Sequence, residues 1–283
     1  MSGNSGKKKL LLGHSPDPDD AFMFYGLAKG LVDSDGWEFE HVLQDIQTLN
    51  ERALRGELHI TAISIHTYPY VADKYALTNC GSSMGDGYGP MVVAREAMDF
   101  NSLWGKKIAV PGEMTTAFLV LNLLLGKGMF EHEVIMFDRI LDHVASGGAD
   151  AGLIIHEGQL TYRNHQLRCV VDLGKWWQLE TGLPLPLGGN AIRRDLGEEN
   201  MQEIGGIIKN SIQYSLDHRE EAVDYALNFA RDMGGDLADE FVGMYVNKWT
   251  LDYGDVGRSA VGELLRRGHQ AELVPEVGEI DFI

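Results

Sequence analysis

Short apolar runs rich in β-branched residues alternate along the chain with segments of helical spacing, and glycine or aspartate marks most of the changes. Lys8 to Leu12 reads as a first strand and HSPDPDD as a turn, followed by a helix from Asp20 to Leu31 that Asp19 or Asp20 would cap. Trp37 to Leu43 predicts a second strand. The helix predicted over Asp45 to Arg55 places Ile46, Leu49, Ala53 and Leu54 on the buried side, and Gly56 would end it. Leu58 to Ile65 then suits a buried strand that delivers Ser64, Ile65 and His66 to its carboxyl end.

The same grammar returns later in the chain. Asp138 to Ala145 is helical in pattern, Gly147 and Gly148 stop it, and Ala151 to Ile155 forms an apolar strand ending at His156. Setting GELHITAIS against GADAGLIIH puts Ser64 opposite His156, both at strand ends where open α/β sheets bind ligands. Gly89 to Arg95, and the stretch ETGLPLPLGGNAIRRDL, read as two crossings between domains. The expected organisation is therefore a discontinuous α/β domain, 1–93 plus 190–283, carrying both termini, with an inserted α/β domain at 94–189. From Met201 to Arg267 the pattern is mainly helical, and Ile204, Ile207, Ile208 and Ile212 are spaced for one buried face. The first six residues are the one low-complexity tract and are expected to be disordered.

Charge narrows the functional classes. With 24 basic and 42 acidic side chains among 283 residues, the formal net charge is −18, a field that repels phosphate backbones and anionic lipid. Neither a nucleic-acid partner nor a membrane partner is expected. No apolar run approaches the roughly 18 to 20 residues that span a bilayer, and the N-terminus lacks the apolar core of a secretory signal. Cys80 and Cys169 are too few for a disulfide framework and lack C-x-x-C spacing, so a reducing cytoplasm is the expected location.

Candidate chemistry concentrates at a few places. His156 closes an apolar strand where its ring can face a cleft, and a neutral imidazole is available near pH 7 as a general base; a hydrogen-bonded core histidine is the competing reading. Zinc has little support, because HEGQL lacks the second histidine of H-E-x-x-H. KIAVPGEMTTAFLVLNLLL reads as strand, turn and helix, with Thr115 or Thr116 at the N-cap and Ala117 in the first turn. Such a helix start favours a substrate carboxylate, although two capping threonines explain it as well. SPDPDD is similar in form, but its three aspartates make it a poorer anion site, and capping is the expectation there. GSSMG matches G-x-S-x-G by spacing only, since a glycine-rich loop follows it where a nucleophile elbow needs a helix. GDGYGP lacks the helix context of a dinucleotide fingerprint and no G-K-[ST] occurs, so nucleotide binding has no support. Trp176 and Trp177 are expected in loop packing.

The order and wording of SPDPDDAFMFYGL, ITAISIHTYPYVADKYAL, GDGYGPMVVA, IAVPGEMTTAFLVL, DAGLIIHEGQLTY and VDLGKWWQLETGLPLPLGG resemble the 1,4-dihydroxy-6-naphthoate synthases of the futalosine route to menaquinone. The likeness runs from about Lys9 to Asp195 and fades in the helical C-terminal part. It implies a two-domain α/β fold like type II periplasmic binding proteins, with an interdomain cleft. It also implies a carbon–carbon lyase that cleaves cyclic dehypoxanthine futalosine, a small-molecule carboxylate, and releases dihydroxyacetone without metal or redox cofactor. On that resemblance His156 is the proton acceptor, while Ala62, Ile63, Ser64 and Thr115, Thr116, Ala117 bind substrate. Many members carry S-P-C-P-N-D where this chain has Ser15 to Asp20, and lysine where Ala62 stands, which puts contacts from those positions in doubt. The chorismate dehydratases of the same pathway and a non-catalytic carboxylate-binding protein are the alternatives.

Overall fold

The computed structural model describes residues 8–229 and 235–283, so the expectation for the first six residues lies outside the described part. Two sheets organise the chain. The first contains β1 (Lys8–His14), β2 (Trp37–Leu43), β3 (Ile60–Ser64), β4 (Tyr75–Leu77), β5 (Ser83–Gly85) and β11 (Leu185–Arg193), in the order β2-β1-β3-β11-β4 with β5 pairing β11. The second contains β6 (Met91–Ala94), β7 (Lys107–Val110), β8 (Glu131–Val134), β9 (Ala151–Ile154) and β10 (Arg168–Asp172), in the order β10-β6-β9-β7-β8. In each sheet three strands run parallel and a returning strand, β11 or β6, pairs antiparallel with the neighbour that ends at the cleft.

Sheet membership moves the expected division of the chain. Bounds at 93/94 and 189/190 would cut β6 and β11, because β6 is hydrogen-bonded within the second sheet and β11 within the first. The crossings themselves are the loops before β6 and before β11, at the glycine- and proline-containing stretches. Close approach marks the first of them. A Cβ on Gly174 would lie 1.9 Å from the Tyr88 carbonyl oxygen, so only glycine fits where α4 (Leu173–Thr181) begins against that loop. Trp177 lies on α4, fully buried with its indole donating to the Pro184 carbonyl at 3.1 Å, so the tryptophan pair is helical and not loop packing.

Local signals placed several helices closely. In α2 (Ile46–Arg55) the Asp45 carboxylate accepts from the Thr48 amide, and Gly56 ends the helix at φ 68°. The expected helix from Asp20 to Leu31 is instead two short turns, α1 (Pro18–Met23) and a further turn at Tyr25–Ala28. Pro18 at the first helical position starts α1 two residues earlier, and Asp17 stands at its N-cap without a side-chain capping bond. The segment 138–145 is a 3₁₀ turn, Phe137–Arg139, followed by a helix at Ile140–Ala145.

After β11 the chain is helical: α5 (Glu198–Asp217), α6 (Gly235–Tyr245) and α7 (Gly254–Gln270). Ile204, Ile207, Ile208 and Ile212 all face inward from α5, packing with Leu10, Leu12 and Phe22 of the first lobe. The largest core cluster joins both lobes. It includes Ile63 and Tyr75 of the first sheet, Val92 and Ile108 of the second, and Val261 and Leu264 of α7. Among the described residues no helix is long and apolar enough to cross a membrane.

Candidate active site

Between the two sheets lies a cleft lined by residues of both lobes. Its walls come from the carboxyl ends of β1, β3 and β9, from the start of α3 (Thr116–Leu125), from the Leu187 to Asn190 part of β11, and from α6. All seven residues singled out in the sequence line it: Ala62, Ile63, Ser64, Thr115, Thr116, Ala117 and His156.

The first-lobe wall is set by β3. Ser64, at its last position, is buried; its amide donates to Asn50 Oδ1 at 2.8 Å and its hydroxyl oxygen accepts from Asn50 Nδ2 at 3.0 Å. Asn50 also donates to the Met114 carbonyl at 3.3 Å, tying the second lobe to α2 of the first. On the neighbouring strand Asn190, opposite Ala62, donates to the Gly81 carbonyl at 3.3 Å, while its buried Oδ1 has no partner among the described residues.

The second-lobe wall begins with Thr115, the N-cap of α3, whose hydroxyl oxygen accepts from the Phe118 amide at 3.2 Å while the hydroxyl donates to the Gly112 carbonyl. Thr116 donates to the Leu187 carbonyl at 2.6 Å and accepts from the His66 amide at 3.1 Å. His66 Nδ1 donates to the Thr115 carbonyl at 3.1 Å. Burial of that ring pushes its pKa down to about 4, so it is neutral at pH 7 and fixed in the Nδ1–H tautomer by an acceptor that cannot donate. Both threonine hydroxyls therefore serve the framework, and what the helix start offers a ligand is the backbone: the amides of Thr116 and Ala117 have no intrahelical acceptor.

His156 lies two residues beyond β9, 13% exposed by side chain, with its ring edge-on to Phe137 at 4.2 Å between centroids. Its Nδ1 is 3.2 Å from Asp17 Oδ2. Asp17 also accepts a short hydrogen bond from the Ser15 hydroxyl. Asp19 and Asp20 stand beside it; Asp20 accepts from the Ser15 amide at 2.6 Å, and Asp19 from the Ser83 hydroxyl at 3.2 Å. Burial and the negative charge of Asp17 push Asp19 up to about 6, with His156 opposing, and burial with the Asp19 charge raises Asp20 well above the usual carboxylate range. Across from them the Tyr245 hydroxyl donates to Gln159 Oε1 at 2.8 Å, a further bond between lobes.

The aspartates are what the sequence reading missed. SPDPDD has the form of a helix cap, yet Asp17 makes no side-chain cap and all three carboxylates line the cleft. Its partner residues are far away in the chain, so no local spacing announces them. Asn50 and His66, which hold Ser64 and Thr116, were also unmarked as site residues. Asp17, His156 and Glu157 each offer a ligand atom within 4.8 Å of the others, a donor set of two carboxylates and one imidazole that a divalent cation could use. Among the described residues no lysine or arginine lines the cleft.

Two α/β lobes around a cleft between them define a periplasmic-binding-protein-like fold. Solved structures agree: a Candida albicans gene product described as exhibiting the generic periplasmic binding protein structural fold aligns with a TM-score of 0.71 at 16% identity, covering 96% of this chain and 92% of that one. A crystal structure of a protein from Archaeoglobus fulgidus aligns with a TM-score of 0.90 at 44% identity, covering 94% of this chain and 98% of that one. The family described as Menaquinone biosynthesis matches residues 10–270, and the chain belongs to it. Curated relatives named 1,4-dihydroxy-6-naphtoate synthase are 44% identical in Thermus thermophilus, over 90% of this chain and 92% of that protein, and 37% identical in Streptomyces coelicolor, over 95% and 96%.

Proposed function

We propose that the protein is a carbon–carbon lyase that converts cyclic dehypoxanthine futalosine to 1,4-dihydroxy-6-naphthoate and dihydroxyacetone, with His156 as general base. The observation that carries this reading is the placement of a partly exposed imidazole in the cleft of a chain 44% identical to a named synthase. Family membership supports the pathway role.

Cleaving a carbon–carbon bond beside an activating carbonyl needs a base, a held oxyanion and exclusion of water. His156 supplies the first. In a cleft with three aspartates and, among the described residues, no lysine or arginine, a substrate carboxylate is disfavoured at the Asp17 end and favoured at the Thr116 and Ala117 amides, where a helix dipole compensates it. The hydroxylated, sugar-derived end then lies toward Ser64, whose hydroxyl can pair with it. The chain needs no metal or redox group for these steps, and a small carboxylate is its partner, with no nucleic acid or membrane. The cysteine content supports a cytoplasmic location.

The test is incubation of the purified protein with cyclic dehypoxanthine futalosine and, separately, chorismate, followed by mass spectrometry. Naphthoate and dihydroxyacetone support the reading. Formation of 3-enolpyruvylbenzoate from chorismate would instead identify a dehydratase, and unchanged ligands in both a binding protein.

A further inference from the structure

The two partners in the Asp17–His156 contact come from different lobes. Asp17 leads from β1 into α1 of the first lobe, and His156 follows β9 of the second. The backbone at Asp17 is extended, φ −117° and ψ 155°, as expected for a residue placed before proline, and Pro16 and Pro18 flank it. The Ser15 hydroxyl holds the same carboxylate oxygen that faces the imidazole, and the residue is 4% exposed by side chain. The carboxylate is thus aimed by a stiff, hydrogen-bonded turn. Phe137 packs edge-on against the ring.

We propose that Asp17 is the positioning residue for His156: its carboxylate accepts from Nδ1–H across the cleft, which places the imidazole lone pair on Nε2 as the proton acceptor. This rests on the reading of His156 as the base and deepens it. A neutral imidazole carries one N–H, and an ionised carboxylate can only accept, so a ring held by Asp17 at Nδ1 has Nε2 as its basic nitrogen. When that nitrogen takes a proton, the adjacent negative charge stabilises the imidazolium. Because the carboxylate belongs to one lobe and the ring to the other, the base is organised only where the lobes meet as they do here. The Thr116 to Leu187 and Tyr245 to Gln159 bonds hold that arrangement.

The ionisable groups around the ring are Asp17, Asp19 and Asp20 from the first lobe, Tyr245 from α6, Glu157 on its own segment, and Asp138 beside Phe137 in the turn packed against it. Asp17→Asn removes one of these charges and keeps the side-chain volume. The experiment measures kcat and KM against pH for the wild type, D17N and H156N with cyclic dehypoxanthine futalosine. In D17N, kcat falls by about 10- to 100-fold, a part of the about 10²- to 10⁴-fold that a general base contributes. KM stays nearly constant, and the acidic limb of kcat/KM moves to lower pH, because the ring has lost a neighbour that favours its charged form. The limb reports loss of the charge beside the ring, and the fall in kcat at constant KM reports loss of its positioning. Wild-type kcat and an unmoved limb in D17N, with H156N inactive, would overturn the role of Asp17 and leave the base assignment standing. An active H156N would overturn the base assignment itself. Should D17N not fold, ¹⁵N-histidine spectra of the wild type decide the matter, with the His156 signals identified by their loss in H156N. A protonated Nδ1 in the neutral ring supports the proposal, and a proton on Nε2 contradicts it.

Discussion

The Thr116 hydroxyl donates to the Leu187 carbonyl across 2.6 Å, joining the first turn of α3 in the second lobe to the strand that returns to the first. The same oxygen accepts from the His66 amide at 3.1 Å, so one buried side chain ties α3 to two segments of the first lobe. Thr116→Val keeps the shape and leaves both backbone groups unpaired, at about 1 to 3 kcal/mol for an unsatisfied buried group. Calorimetry should show a Tm lower by several degrees. Steady-state kinetics should show KM rising more than kcat falls, because the lobes are held together less firmly.

Asn50 and Ser64 test the opposite wall. Ser64→Ala removes one hydroxyl and should raise KM by about 3- to 10-fold, the worth of a single hydrogen bond, with little change in Tm. Asn50→Ala strips the acceptor from the buried Ser64 amide and the donor to Met114, so it should lower Tm clearly as well. Equal thermal effects from both variants would show that the Asn50 bonds do not hold the strand end.

Asp19 links the site to stability. Its folded pKa of about 6 lies above the unfolded value of 3.8, so between these pH values the folded state binds more protons. Stability from this group therefore falls as pH rises through that window and stays reduced above it. Asp19→Asn removes the penalty. Near neutral pH and above it should stabilise the protein by about 1 to 2 kcal/mol, allowing for water in the cleft, with little gain near pH 4. Thermal melts across pH read this directly, and a gain independent of pH would contradict it.

The Asp17, His156 and Glu157 donor set gives a chemical prediction. Turnover should persist in the presence of a chelator, whereas added Zn²⁺ should inhibit by occupying the imidazole nitrogen and carboxylates, with chelator restoring activity. Loss of activity on chelation would place a metal in the reaction.

Much of the architecture was legible because its causes are local. Asp45, the apolar face of α2 and Gly56 mark a helix within a dozen residues, and the two strand ends presenting Ser64 and His156 follow from short apolar runs with glycine stops. The isoleucine spacing of α5 likewise predicted its buried face. What escaped is long-range. The SPDPDD turn carries the same residue types whether it caps a helix or aims a carboxylate, and the deciding partner, His156, arrives from the other lobe. The sheet to which β6 and β11 belong is set by pairing with distant strands, which periodicity cannot specify. The threonine hydroxyls at α3 were legible as a cap, but their engagement with Gly112 and Leu187 was not.

The most direct measurement is the rate of 1,4-dihydroxy-6-naphthoate formation from cyclic dehypoxanthine futalosine by the wild type and by His156→Asn, each shown to be folded by its melting curve. The wild type should turn over without additives, and the variant should be slower by about 10²- to 10⁴-fold. A folded variant that matches the wild-type rate would contradict the account.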